Sequence, residues 1–374
     1  MILAAGTLAQ ASFSALSVGL PALAPALRAH YRLTLGETGV VLGAVGIGML
    51  FTLLPWGLLA DRVGERLVLA LGLGGCAAAL VGAAYAGRFA ALLFLLGVAG
   101  AAGASVNAAS GRAVMYWFPA AERGFALGVR QTAIPVGGFV SALALPALGV
   151  KGGLLLLAAW TAGGAVFGAA VIHDPEGAED ILQPRRIGET LRDGRLWRLC
   201  TGSSFYLVAQ IALTGFIVLF LYDERGFSHG EAALVLAGVQ VLAAAFRIGG
   251  GRWSDRVGSR VGPLRLVGLA SSATLGVAAA LLGAPAAVLV AALVLAGGLA
   301  MAWNGLSFTA AAELAGRARS GAALGMQQSA LAATGAAVPP VFAAMVGATS
   351  WRAAFGLAAV FPLVGVFLLR RLSV

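Results

Sequence analysis

The stretch GLLADRVGERL, residues 57–67, sets four charges of mixed sign, Asp61, Arg62, Glu65 and Arg66, between two long apolar runs. Nearly the same text returns as GGRWSDRVGSR at 250–260. Gly57, Asp61, Arg62, Val63, Gly64 and Arg66 match Gly251, Asp255, Arg256, Val257, Gly258 and Arg260 at a constant shift of 194. A second match lies close to that offset. GFALGVRQTA at 124–133 aligns with GAALGMQQSA at 321–330 at a shift of 197, and Asn107 aligns with Asn304. Two independent matches at nearly one offset mark an internal duplication.

The text between the charged turns sets the class. The 374 residues are 60% hydrophobic and 11% charged. A soluble domain carries about 25% charged residues, and so few polar side chains could not cover its surface. The apolar runs are long enough to cross a ~30 Å hydrocarbon core at ~1.5 Å per residue, and the 54 glycines suit close helix packing there. Spans are predicted at 3–27, 36–60, 66–86, 89–115, 123–148 and 152–172, then at 198–222, 231–251, 263–283, 285–311, 320–347 and 350–370. Residues 1–27 lack a basic leader and exceed a signal-peptide core, so they read as the first span. The one long polar break, HDPEGAEDILQPRRIGETLRDGR at 173–195, divides the chain into a six-span half (1–172), a linker (173–197) and a second six-span half (198–374). A shift of six spans preserves orientation, so the halves are parallel repeats, as in transporters.

The net charge of +10 comes from arginines in the short loops, the pattern of membrane topology rather than of nucleic-acid binding. Of 25 Lys and Arg, the loops opposite the linker hold only Arg28, Arg32, Arg88, Lys151, Arg225 and Arg352. The excess is expected to put the linker and both termini in the cytoplasm. Cys76 and Cys200 have no metal spacing, and no metal or cofactor is expected. There is no phosphate loop, no HExxH and no nucleophile with its base, so the chain does not read as an enzyme.

The loop GLLADRVGER between spans 2 and 3, echoed between spans 8 and 9, resembles the signature loop of the major facilitator superfamily. The resemblance covers essentially the whole chain. It implies an all-α membrane protein of twelve helices in two pseudo-symmetric halves. Physically, Gly57 and Gly64 permit close packing and a tight turn. Asp61 suits the positive end of a neighbouring helix, and Arg62 and Arg66 can bond carbonyls or carboxylates nearby. The resemblance implies a conformational latch, with Asp61 meeting the start of span 11 and Asp255 the start of span 5. Gly251, Arg256, Gly258 and Arg260 complete the second copy. GRAVMYWFPAAERGFALGVRQTAIPVGG at 111–138 looks like the span 4 to span 5 connection of bacterial cyanate-permease-like and organic-anion facilitators. Arg112, Glu122 and Arg123 of this stretch are candidate gate residues.

Charged and amide side chains within spans are costly and so mark function. All fifteen Asp and Glu fall in loops or near span ends, which disfavours a classical proton-coupled exporter of cations. Arg247 is eight residues before Asp255 in span 8, roughly 12 Å deep, and Arg130 reaches a similar depth in span 5. In the superfamily fold these two spans are neighbours across the halves. Unpaired buried positive charge is unfavourable and would be satisfied by an anion through charge-assisted hydrogen bonds. Gln240, seven residues before Arg247, shares its helical face. Asn107 and Asn304 line the expected cavity, and Tyr206, Gln210, Gln131 and Gln327 are weaker candidates. The expected function is a monomeric secondary transporter in the lipid bilayer. It moves a small anion, an organic carboxylate or a cyanate-like species, by alternating access, with or without a co-transported ion or proton. The alternatives are efflux of neutral or hydrophobic compounds, with the arginines structural, and a non-transporting sensor, which the lack of soluble mass outside the spans disfavours.

Overall fold

A computed structural model describes residues 2–107, 129–171, 184–316 and 319–372. Every regular element among them is helical. Eleven helical segments are long and apolar enough to cross a membrane. The twelfth predicted span, the fifth in order, is described over Ala133–Ala144.

The duplication read from the loops recurs in the helices. Span 2, Leu35–Val63, and span 8, His229–Val257, are both 29 residues long and begin and end at the shift of 194. Each opens on a capping box at that same shift. The Thr34 hydroxyl accepts from the Glu37 amide while the Glu37 carboxylate accepts from the Thr34 amide, and Ser228 and Glu231 do the same. Such a box satisfies two amides that a helix start leaves open. Each helix ends on a glycine at positive φ, Gly64 at +84° and Gly258 at +65°, where a Cβ is disfavoured. Span 4 begins with Phe89–Gly103 and span 10 with Ala286–Ala300, related by 197 residues. Span 10 resumes after its break as Trp303–Ala315.

Three boundaries differ from the sequence reading. Span 1 is broken: Ile2–Ser17 passes through a 3-10 turn, Leu20–Leu23, into Ala24–Tyr31. Pro21 and Pro25 remove backbone donors there, and Gly19 lies so close to Ser141 that a Cβ would stand 2.2 Å from its Cβ. Span 7 runs Gly194–Arg225, starting inside the predicted linker, because the Asp193 side chain caps it by accepting from the Arg195 amide at 3.0 Å. A short helix, Pro184–Arg192, precedes it. Span 12 is interrupted between Trp351–Ala358 and Phe361–Leu369, where Pro362 cannot donate.

The remaining passages are span 3, Glu65–Ala84, span 6, Gly149–Val171, span 9, Val261–Ala280, and span 11, Ser320–Ala348. The halves meet along spans 2 and 11 and along spans 5 and 8. On span 2, Gly39, Gly43 and Gly46 lie against the backbone of Pro339, Pro340 and Ala336, leaving no room for a Cβ. Small residues let the two backbones touch in the half of the interface away from the linker. At that far face, Arg28 of span 1 pairs with Asp223 at the end of span 7. Pro25, Arg28, Arg32, Tyr222, Asp223 and Trp351 help to line a cleft of about 1030 Å³ beside the pair.

Candidate functional site

Spans 5 and 8 adjoin, as predicted. Arg247 is buried where they meet, at 6% exposure. Its Nε donates to the Met301 carbonyl at 2.9 Å, at the break in span 10 of its own half. Its Nη1 donates to the Gln131 carbonyl at 2.7 Å, in span 5 of the other half. Its Nη2 is buried without a hydrogen-bond partner. The helix break supplies one acceptor, since Met301 lies where span 10 leaves regular helix. One cationic nitrogen is therefore open at the junction of the two halves, and its full satisfaction requires a further acceptor.

Gln240, on the same face of span 8, is fully buried, and neither polar atom of its amide has a partner. It is pressed onto span 5: a Cβ at Gly138 would stand 2.7 Å from the Gln240 amide carbon. In this conformation Gln240 seals the interface on the far side of Arg247 instead of facing an open cavity.

Arg130 immediately precedes Gln131, whose carbonyl Arg247 uses. Arg130 is buried, and its Nη2 donates to Gln10 Oε1 at 3.2 Å and to the Asn107 carbonyl at 3.3 Å. Gln10 was not singled out from the sequence. Its signal is the amide in the first span of each half, Gln10 in one and Gln210 in the other. In the second half, Gln210 Oε1 accepts from Trp303 Nε1 and from Asn304 Nδ2, both at 3.1 Å. Spans 1 and 4 thus hold Arg130 much as spans 7 and 10 hold one another.

Gln327 stands at the position equivalent to Arg130 and is buried beside two serines that sequence reasoning missed. Its Nε2 donates to Ser307 Oγ at 2.5 Å, and Ser307 shares a 2.5 Å hydrogen bond with Ser203. Tyr206 does not join the arginines. It is wedged between spans 9 and 12, where Gly268 and Gly365 leave no room for a Cβ beside its ring. Gln131 is buried and contributes its carbonyl.

The described residues cover only part of the duplicated loop. The side chains of Asp61 and Arg62 lie outside the described residues, as do the candidate gate residues Arg112, Glu122 and Arg123 and the start of span 5. Arg66 and Arg256 are exposed. Arg260 holds its own half together. It donates to Asp255 Oδ1 at 2.5 Å and to Ser254 Oγ at 3.0 Å, and its Nε donates to Glu313 Oε1 of span 10 at 3.0 Å. The tight turn expected at Gly64 and Gly258 is present. Among the described residues, a Cβ at Gly57 or at Gly251 would meet nothing within 4 Å.

The comparisons with known proteins agree with this architecture. A family model described as Major Facilitator Superfamily matches residues 2–339. An uncharacterised MFS-type transporter of Mycobacterium tuberculosis is 34% identical over 362 residues, covering 93% of this chain and 79% of that protein. A probable sulfoacetate transporter of Cupriavidus necator is 27% identical over 292 residues, 68% of this chain and 66% of that protein. The crystal structure of a bacterial homologue of the human lysosomal transporter Spinster, inward-facing and occupied, superposes with a TM-score of 0.80 at 17% identity over 98% of this chain and 95% of that one. Two six-span halves meeting along spans 2 and 11 and spans 5 and 8, together with a family match over nearly the whole length, identify the chain as a membrane transporter of the major facilitator superfamily.

Proposed function

We propose that this transporter moves a small organic anion, a carboxylate, sulfonate or cyanate-like species, across the bacterial inner membrane by alternating access. The linker and both termini face the cytoplasm, and the protein works as a monomer, with a co-transported ion or proton available to complete its cycle. The observation that carries the reading is Arg247, a buried guanidinium between the two halves with one nitrogen unpartnered. No described carboxylate forms an ion pair with it, and the described Asp and Glu stand at helix ends or in loops. A buried cation without a counter-charge is unfavourable by several kcal/mol, and a bound anion would offset that through a charge-assisted hydrogen bond. The resemblance to a probable sulfoacetate transporter supports the same substrate class.

The experiment is a thermal-stabilisation screen of the purified protein against small carboxylates, sulfonates and inorganic anions, because a ligand that binds the native state raises the melting temperature. The best anion is then tested for uptake into proteoliposomes. Stabilisation and uptake of an anion are expected. One observation favours the alternative of effluxing neutral compounds: Arg247 already bonds two backbone carbonyls and can serve as a structural residue. A screen in which no anion binds while uncharged hydrophobic compounds such as alcohols do would select that alternative.

A further inference from the structure

Arg247 has two kinds of partner. Its bond to Met301 stays within the second half, whereas its bond to Gln131 crosses to the first. Seven residues away on span 8, Gln240 lies flush on Gly138 of span 5. Span 8 is therefore held to span 5 at two levels of unlike character. At one level a charged donor meets a backbone acceptor at 2.7 Å. At the other an amide is enclosed with neither its donor nor its acceptor satisfied. The first contact favours the joined halves. The second opposes them, because water would satisfy the amide as soon as the helices part. At this contact one interaction holds the helices together and the other opposes it, so a change at Arg247 bears directly on whether span 8 stays on span 5.

We infer that Arg247 is the residue through which anion binding is coupled to the rocking of the halves: an anion that takes the guanidinium weakens its bond to the Gln131 carbonyl and releases span 8 from span 5. This rests on the anion reading of the same site and goes beyond it, since a binding arginine need not hold the halves together. Arginine suits the task where lysine does not. Its planar fork presents separate N–H groups to one carbonyl in each half and still keeps a nitrogen for the ligand.

The test reads the separation of the halves directly. Leu148 of the first half and Tyr222 of the second are exposed near the far face. In a background with Cys76 and Cys200 replaced by alanine, Leu148→Cys and Tyr222→Cys carry spin labels, and their distance distribution is measured by pulsed electron resonance. Without ligand, Arg247→Met is expected to shift the population towards the longer distance by at least about tenfold, the loss of one charged hydrogen bond. Arg247→Lys, which keeps the charge, is expected to shift it in the same direction. The unsubstituted Arg247 protein with saturating acetate or methanesulfonate is expected to reproduce the shift. Melting temperatures with and without each anion are recorded on the same samples.

If acetate or methanesulfonate stabilises the protein but Arg247→Met and Arg247→Lys leave the distances unchanged, the coupling is wrong and the anion site stands. If the variants move the distances and neither anion does, although one binds, Arg247 is a static tie and the inference fails. If neither anion raises the melting temperature or moves the distances, the coupling falls together with the substrate class. Should Arg247→Met not fold, Arg247→Lys and the ligand arm still decide the matter.

Discussion

Gly48→Ala should destabilise the protein, whereas Gly57→Ala, in the more recognisable motif, should not. A Cβ on Gly48 would lie 1.9 Å from the Gly97 carbonyl oxygen and 2.6 Å from the Ala101 amide nitrogen of span 4. Ordinary contact begins near 3.4 Å, so spans 2 and 4 must separate by about 1.5 Å. Both obstacles are backbone atoms, and no side-chain rotation relieves them. Overpacking costs ~1–3 kcal/mol, and a rigid backbone clash belongs at the upper end. An apparent melting temperature lower by on the order of 5 °C follows. At Gly57 an added methyl meets no described atom within 4 Å, and alanine is the better helix former by about 1 kcal/mol. That variant should melt with the parent or slightly above it. The assay is intrinsic fluorescence in detergent at one fixed scan rate, because membrane proteins often unfold irreversibly. Equal losses in the two variants would refute the packing of spans 2 and 4 described above.

Asp61→Asn and Asp255→Asn should both slow transport into proteoliposomes without impairing membrane insertion, Asp61→Asn the more. Asp255 is well exposed and its pair with Arg260 contributes under about 1 kcal/mol, so a large melting change in Asp255→Asn would mean that the pair is chiefly structural. Sidedness is tested in a cysteine-free background carrying Gly177→Cys: an impermeant maleimide should label it only from the cytoplasmic side, and labelling only from outside would reverse the orientation. The hydrogen bond from the Arg195 side chain holds the Asp193 carboxyl below its ordinary range. Its stabilising contribution is present above the unfolded-state value and is lost as pH falls through the lower folded value, a window near pH 4 and below. Asp193→Asn should therefore flatten the acid end of the melting profile, and an unchanged profile would show that this cap does not contribute to it.

The paired loops were readable because their constraint is local. A helix that ends on a charged turn needs a glycine at positive φ, and Gly64 and Gly258 provide it wherever the rest of the chain goes. The capping boxes at Thr34 and Ser228 sit in the same register and are equally visible once sought. The adjacency of spans 5 and 8 followed from the family resemblance, and Arg247 is buried where they meet. The carbonyl partners were beyond reach, since Met301 becomes an acceptor only because span 10 breaks beside it. Gln10, Ser203 and Ser307 are ordinary residues in apolar text and gain meaning only when three helices come together around each cluster. The enclosure of Gln240 against Gly138 was hidden for a related reason: periodicity assigns a helical face, but not which neighbour closes over it.

The central claim is that Arg247 receives an anion, and calorimetric titration of the best stabilising anion into the Arg247 protein, Arg247→Gln and Arg247→Lys tests it most directly. Loss of a charged hydrogen bond of ~1.5–3 kcal/mol predicts affinity at least tenfold weaker in Arg247→Gln, with Arg247→Lys recovering only part, because lysine keeps the charge and loses the planar fork. Affinity unchanged in Arg247→Gln would make this arginine purely structural and contradict the account.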